Sequence, residues 1–353
     1  MQNNKVIYLI AGKGNRSGVP KYVCNLYTTL NRSYEIKVVV DGNEGGFDSV
    51  KKSDLIIIPG LASERSFRQK LLAIIKLRSK LKNADMVWAH SSFAILFSRI
   101  LKFFCQYKLI ITYHGLPFGN GRKIIINQIA FAVEFITSRL VKHTVVVISK
   151  LDEKNFLKLN PHVECTYIPN SVAKPSKVNN KFCNNQFKFL MTTRDSYQKN
   201  LDYAVKIMNQ LPDIEVDVFG SISNSRKKYL TTLNLAKNMN FHGEVPFSSI
   251  NFSNYRLYLM TSRYEGFSIG LLEACSYGLG IATTNVGGAL EVAKNNDYCA
   301  ILNNNISDDI FLINRLIESL KHKDFEPKII SRTADILSYY DWQERCLKLV
   351  EEV

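Results

Sequence analysis

The sequence predicts an α/β protein of two domains, each a parallel sheet wrapped by helices, facing each other across a cleft. Three observations predict it. Short β-branched or aromatic runs alternate with segments of helical period along most of the chain, the pattern of parallel sheets covered by helices. The alternation breaks once, at the polar, Asn-rich stretch SVAKPSKVNNKFCNNQ (residues 171–186) with Pro175 inside it, and then resumes. The chain has 353 residues, 46% hydrophobic and 22% charged, enough to bury two cores.

In chain order the first strands are KVIYLIAG (5–12), EIKVVVD (35–41), DLIIIPG (54–60), DMVWAH (85–90), YKLIITYHG (107–115), HTVVVIS (143–149) and ECTYIPN (164–170). Between them lie segments such as 67–82 and 93–104, whose apolar residues recur three and four apart. After the break come FKFLMTT (187–193), EVDVFG (215–220), RLYLMTS (256–262), GIATT (280–284) and YCAIL (298–302). The boundaries read as a first domain over 1–172, a linker over 173–186, a second domain over 187–340 and a closing helix over 341–353, where DWQERCLKLVEEV has an Asp cap and apolar spacing. Ligands of open parallel sheets gather beyond the carboxyl ends of the strands, so the chemistry belongs in the loops there.

Composition excludes several classes. The apolar run at the N-terminus is short and lacks the cleavage site of a signal peptide, and residues 124–136 are interrupted by Asn127, Gln128 and Glu134, well short of a spanning helix. Seven scattered cysteines without a CxxC pair suggest neither a zinc site nor a disulfide framework, and fit a reducing cytoplasm. No nucleic-acid-binding module is present. The net charge of +15 is uneven: up to Asn170 there are 25 Lys and Arg against 11 Asp and Glu, and beyond it 21 against 20. Such asymmetry implies either an anionic surface met by the first half or a merely solvated basic face.

The most informative stretch is TSRYEGFSIGLLEACSYGLGIATTNVGGALEV (261–292). A strand ends at Ser262, and Glu265, Gly266, Phe267 and Ser268 turn into a helix that carries Glu273. Glycine at a helix start lets backbone N–H groups approach an anion, and the helix dipole favours a diphosphate there. Ionised carboxylates at the turn and two turns later are efficient acceptors for sugar and ribose hydroxyls. In TTRDSYQKNLDYAV, Arg194 and Lys199 follow the second domain's first strand, where a guanidinium and an ammonium together suit two phosphates.

EGFSIGLLEA followed by GG-x-x-EV resembles the signature of the glycosyl transferases group 1 family, retaining enzymes of the GT-B fold with two Rossmann-like domains. The resemblance implies a nucleotide-diphospho-sugar donor, with Glu265 positioning the sugar, Glu273 and the Gly266, Phe267, Ser268 turn binding the donor, and Arg194 and Lys199 holding the leaving diphosphate. Glycine often follows that lysine in the family, whereas here Asn200 does. SGVPKYV (17–23) resembles the family's glycine-rich loop, with Ser17 where a glycine is frequent and Gly18 kept. His114, in TYHG, matches a histidine placed beside the reacting sugar, and His90, in WAHSSFA, is an acceptor-side candidate. Gly220 and the loop at His242 lie where the family binds the base.

No DxD-like cluster occurs in a loop, and Asp213, Glu215 and Asp217 alternate along a strand as one solvated face. Neither metal nor other cofactor is therefore expected, the cations and the helix terminus neutralising the diphosphate. The expected activity is retaining transfer of a hexosyl or N-acetylhexosaminyl group to a glycan or glycolipid acceptor in bacterial surface polysaccharide synthesis. A nucleotide-sugar epimerase and a non-catalytic carbohydrate- or nucleic-acid-binding protein are the alternatives. Arg65, Arg68, Lys70, Lys76, Arg78, Lys80 and Lys82 fall in one predicted helix with five aliphatic residues, and residues 124–136 are flanked by Arg122, Lys123, Arg139 and Lys142. These two elements predict peripheral attachment to an anionic membrane at its cytoplasmic face, unless both apolar faces pack on the sheet.

Overall fold

The computed structural model describes residues 5–118, 123–173, 187–232, 235, 237–246, 249–293, 297–321, 329–330 and 338–353. The described residues divide into two compact units, one of residues up to 118 with Lys123–Asn170 and Tyr340–Val353, the other of Ser171–Tyr339. All but one residue of the expected linker, 174–186, lies outside the described residues.

The first unit runs β1 (Val6–Ile10), α1 (Gly18–Leu30), β2 (Glu35–Val40), β3 (Leu55–Ile57), α2 (Phe67–Leu81), β4 (Met86–His90), α3 (Ser92–Leu101), β5 (Lys108–Tyr113), α4 (Ile124–Leu140), β6 (Thr144–Val147), α5 (Lys150–Leu159) and β7 (Cys165–Tyr167). Its seven strands are all parallel, in the order β3-β2-β1-β4-β5-β6-β7. A parallel sheet is buried on both faces, which is why VIYLI, MVWAH and TVVV read as near-continuous apolar runs rather than alternating ones. The last helix of the chain, α11 (Tyr339–Glu352), belongs to this unit from Tyr340 onward. Its Trp342 ring meets the Tyr22 ring edge-on at 5.2 Å, and Gln343 Nε2 donates to Thr29 Oγ1 at 3.2 Å.

The second unit runs β8 (Lys188–Thr192), α6 (Leu201–Asn209), β9 (Glu215–Phe219), α7 (Asn224–Thr232), β10 (Met239–Gly243), β11 (Leu257–Met260), α8 (Ile269–Ser276), β12 (Gly280–Thr284), α9 (Ala289–Ala293), β13 (Cys299–Leu302) and α10 (Ile306–Ser319). Its six parallel strands are ordered β10-β9-β8-β11-β12-β13. In both sheets the order reverses beside the unit's first strand. Each unit therefore has a crevice at its strand ends, between β1 and β4 in one and between β8 and β11 in the other.

Three features differ from the sequence expectation. β10 was not anticipated, because MNFHG carries Asn240 and His242 and edges the sheet, where polar residues are tolerated. Arg65 lies before α2 rather than within it: Ser66 caps the helix in a capping box with Gln69, and Arg65 Nη2 binds Asp41 Oδ2 at 2.6 Å. Asp217 is not part of a solvated face. It is buried at the centre of a network, accepting from Tyr255 Oη (2.8 Å) and Lys188 Nζ (2.9 Å) and lying 3.0 Å from His242 Nε2.

The helix α4 is packed inside out. Its sequence, IIINQIAFAVEFITSRL, is mainly apolar, yet Glu134 and Ser138 are its buried residues, while Ile124 is 75% exposed, Ile125 72% and Ile129 60%. The cause is Arg99, buried on α3. Its guanidinium donates to both Glu134 oxygens (2.9 and 2.8 Å), to Thr137 Oγ1 (2.9 Å) and to Tyr113 Oη (3.1 Å). A buried cation left alone costs several kcal/mol, so the helix presents to the core the face that holds its carboxylate. Ser138 adds a bond to Asn160 Oδ1 at 2.9 Å. His143 completes the set: its Nδ1 bonds Val141 O (2.7 Å), so its bare Nε2 accepts from Arg99 (3.1 Å). Burial, with the Arg99 cation beside it, lowers this imidazole to about 4.

Candidate active site

Two loops meet at the crevice of the second unit. After β8 the chain runs through Arg194 to Lys199, and after β11 through Ser262 to Ser268. Arg263 N donates to Gln198 O (2.7 Å), Gln198 Nε2 to Tyr264 O (3.1 Å), and Thr261 Oγ1 to the carbonyls of Lys199 and Asn200 (both 3.2 Å). So knitted, the loops bring Lys199 Nζ to 2.6 Å from Glu265 Oε1, the oxygen that also accepts from Ser262 Oγ at 2.9 Å. Both partners are largely shielded from solvent, whereas Arg194 is exposed and donates to Gln198 Oε1 at 3.2 Å. A cation, a carboxylate and an exposed guanidinium thus line one strand-end crevice.

Asn200, the departure from the family's glycine, sits at φ +51°, ψ +50° as the cap of α6. That left-handed conformation is where glycine is the default and asparagine the best-tolerated substitute. The glycine pattern and this sequence therefore answer the same backbone demand.

The turn of Glu265, Gly266 and Phe267 is fixed from behind by two glycines. Gly288 N donates to Gly266 O (2.6 Å), a Cβ on Gly287 (φ +45°) would stand 2.0 Å from Gly266 O, and one on Gly288 would stand 2.4 Å from the Phe267 ring. Ser268 caps α8, accepting from Leu271 N. The first turn of this helix holds no acidic residue, so its dipole is left uncompensated for an anion. Glu273 lies buried within α8. Beneath the helix start, Tyr258 Oη pairs with Thr192 Oγ1 at 2.6 Å, and Gly270 is small because a Cβ there would come within 2.8 Å of that phenol. Burial, then the nearby Glu265 and Glu273 carboxylates, push the Tyr258 phenol far up, so it stays protonated.

Gly220, after β9, has φ +129°, and a Cβ on it would lie 1.7 Å from Thr193 O. This close approach locks the β9 loop to the β8 loop, which Asp195 N reinforces by donating to Ser221 O at 2.9 Å. His242 stacks on Phe219 (4.7 Å, 17°) beside it. Eight of the residues named from sequence, Arg194, Lys199, Gly220, Glu265, Gly266, Phe267, Ser268 and Glu273, thus fall at the strand-end loops and helix of the second unit.

The other three, Gly18, His90 and His114, belong to the first unit. Gly18 opens α1 and is exposed; its neighbour Ser17 has an extended backbone that any residue adopts. Earlier in the same loop, Gly14 has no room for a side chain, since a Cβ there would lie 1.7 Å from Gly42 O. His90 ends β4 and His114 follows β5, and their rings meet at 3.2 Å, Nδ1 of His90 to Nε2 of His114. His90 is fully buried, stacked on Trp88 (6.0 Å, 17°), while the Tyr22 ring sits edge-on to His114 at 4.7 Å. Burial holds both imidazoles neutral, His114 at about 3 and His90 well below the ordinary value, the latter also through His114.

Ser262, Tyr258, Gln198 and the Gly287–Gly288 contacts were missed by residue-level reading. Only the glycine pair had a sequence signal, in the GG-x-x-EV motif. Among the described residues no group of three or more His, Cys, Asp or Glu side chains could hold a metal ion.

Residues 174–333 match the family model described as glycosyl transferases group 1. Over 318 residues the chain is 26% identical to the O-antigen biosynthesis glycosyltransferase WbnH of Escherichia coli, which spans 87% of this chain and 88% of that relative. HepE of Anabaena, solved in complex with UDP and glucose, shares the fold with a TM-score of 0.81 at 14% identity, over 99% of this chain and 100% of that one. Sucrose-phosphate synthase of Thermosynechococcus elongatus does so with a TM-score of 0.83 at 14% identity, over 99% of both. The chain is therefore a glycosyltransferase of the GT-B fold, and its residues 174–333 belong to the glycosyl transferases group 1 family.

Proposed function

We propose that this glycosyltransferase moves a hexosyl or N-acetylhexosaminyl group from a nucleoside-diphospho-sugar to a glycan or glycolipid hydroxyl in surface-polysaccharide synthesis, with retention at the anomeric carbon and without a metal. The observation that carries the donor assignment is the Lys199–Glu265 pair beside the start of α8. The diphosphate is held by Lys199, Arg194 and the α8 terminus, and Glu265 and Glu273 accept from sugar and ribose hydroxyls. As the bond from C1 to the diphosphate breaks, the acceptor oxygen bonds C1 on the same face, and its proton passes to the departing phosphate oxygen. Cations that stabilise the leaving charge do the work a metal would otherwise do, which supports the metal-free reading. Gly18 and His114 are assigned to the substrate-binding surface of the first unit. The O-antigen relative supports the polysaccharide assignment, and the HepE complexes make UDP-sugars the first donors to test.

A thermal-shift screen of nucleotide sugars followed by product analysis with and without acceptor tests this, since a ligand bound only by the native state raises the melting temperature. Turnover that needs no acceptor would establish an epimerase instead. Full activity is expected in a chelator; loss restored by magnesium would overturn the metal-free assignment.

The partner of the first unit is an anionic membrane. No described helix is long and apolar enough to cross one. The inside-out face of α4 supports surface attachment, because a contiguous apolar face of this kind on a soluble unit marks an interaction site. Lys123 and Arg139 flank that face, and α2 adds exposed Arg68, Lys76, Arg78 and Lys80 next to Phe67 and Ile75. Basic residues beside an anionic surface contribute about 1 kcal/mol each. Co-sedimentation is expected with phosphatidylglycerol vesicles and not with neutral ones, reduced by salt and by Ile125→Asn with Ile129→Asn. Equal binding to both vesicles removes the claim, and a dimer dissociated by the same substitutions would assign the face to a second copy.

A further inference from the structure

The His90–His114 contact is a hydrogen bond between two neutral rings in a fixed corner of the first unit. Trp88 stacks on His90, Tyr22 lies against both imidazoles, and Trp342 of α11 closes on Tyr22. Ser91, immediately after His90, is held at φ +90°, ψ 150°, a conformation that residues other than glycine rarely adopt. The surrounding structure therefore overrides local preference in order to set this strand end.

One proton is shared across the 3.2 Å contact, and the remaining nitrogens decide its place. His90 Nε2 is buried and has no hydrogen-bond partner among the described residues. If His114 Nε2 were the donor, His90 would accept at Nδ1 and its own proton would sit on Nε2 as an orphaned buried N–H. If His90 Nδ1 is the donor, Nε2 carries a bare lone pair instead. Orphaned buried N–H groups are the rarer and costlier of the two.

We infer that His90 is a positioning residue which donates from Nδ1 to His114 Nε2 and so fixes His114 in the tautomer with its proton on Nδ1. His114 then offers the substrate one hydrogen-bond donor and no base, as the tautomer of a histidine follows from the bond its other nitrogen makes. A hydroxyl or ring oxygen of the sugar accepts from it. This role rests on the assignment of His114 to the substrate surface, and the two fail separately.

The chain has six histidines, so the imidazole nitrogen spectrum of the full-length protein labelled with nitrogen-15 on histidine can be assigned by single substitutions. The expected result is a protonated Nδ1 and a bare Nε2 for His114. A protonated Nε2 overturns the inference. His90→Leu is expected to release His114 into a mixture of tautomers and to lower kcat by about tenfold or less, the size of one neutral hydrogen bond, with the donor KM little changed. His90→Asn, whose amide reaches the position of Nδ1, is expected to restore both. In a His114→Gln background, His90→Leu should cost no further activity, and an equal second loss would make His90 merely structural. Full activity of His114→Gln would remove the substrate role of His114 while leaving the spectrum to decide the proton.

Discussion

The two crevices share a topology and differ in chemistry. Both lie where a parallel sheet reverses its strand order, yet the second unit lines its crevice with Lys199, Glu265 and Arg194, and the first lines its own with two neutral imidazoles among aromatic rings. A strand-end crevice is only a place where side chains converge. Its function follows from whether the loops bring charge or hydrogen-bonding rings to that place. Here the charged crevice suits a diphosphate and the neutral one a sugar, which bears hydroxyls and no charge.

The largest effects should break this contrast at the charged side. Lys199→Ala and Arg194→Ala are each expected to weaken nucleoside-diphosphate binding by about 1.5–3 kcal/mol, the value of a charge-assisted hydrogen bond, as titration calorimetry would read it. His114→Gln should leave that affinity unchanged and lower transfer instead. If all three variants bound the nucleotide equally well, the division of labour between the crevices would be wrong.

A second, smaller difference appears with pH. Burial lowers both imidazoles of the neutral crevice, His114 to about 3, so they should give transfer no histidine-like step between about pH 6 and 8. Stability should respond further down. A histidine whose folded value is depressed binds its proton more readily when unfolded, so its contribution is complete above about 6.5 and is lost as the pH falls through the folded value. Denaturant midpoints are therefore expected to stay level above that point and to drop steadily toward pH 4, with His143 contributing alongside the pair. A transition centred near 6.5 in activity would show that His114 is less enclosed than its ring contacts indicate.

The extent to which these features were legible differs for physical reasons. All the strands but the polar edge strand β10, and the turn before α8, could be read, because a buried parallel strand must be apolar throughout and a helix start needs a cap, both local requirements. The orientation of α4 could not. Its apolar residues surround a single glutamate, and only the burial of Arg99, 35 residues earlier, turns that glutamate inward. The Lys199–Glu265 contact was beyond residue patterns for the same reason, since it joins positions 66 apart. The histidine pairing needed the β4–β5 register, which sets His90 opposite Thr112, two residues before His114. Asp217 was misread as exposed because alternation along a strand identifies two faces without saying which is covered.

The smallest expected effects come from the one strained corner in each crevice. Ser91, after β4, and Asn200, before α6, are both non-glycine residues in the left-handed half of backbone space. They differ in kind: Asn200 occupies the ordinary left-handed helical well, where its short amide is tolerated, whereas Ser91 lies in a region open essentially to glycine. Removing the Cβ should therefore help Ser91 more. Ser91→Gly is expected to raise stability by about 1 kcal/mol, and Asn200→Gly by a few tenths at most, because glycine also gains freedom in the unfolded chain that offsets the relief. Asn200→Ala should instead lose about 1 kcal/mol. Chemical denaturation of the three variants reads the order directly. If Asn200→Gly proved the more stabilising of the two glycine variants, the strain would lie at the phosphate side, and the corner beside His90 would be no more constrained than an ordinary turn.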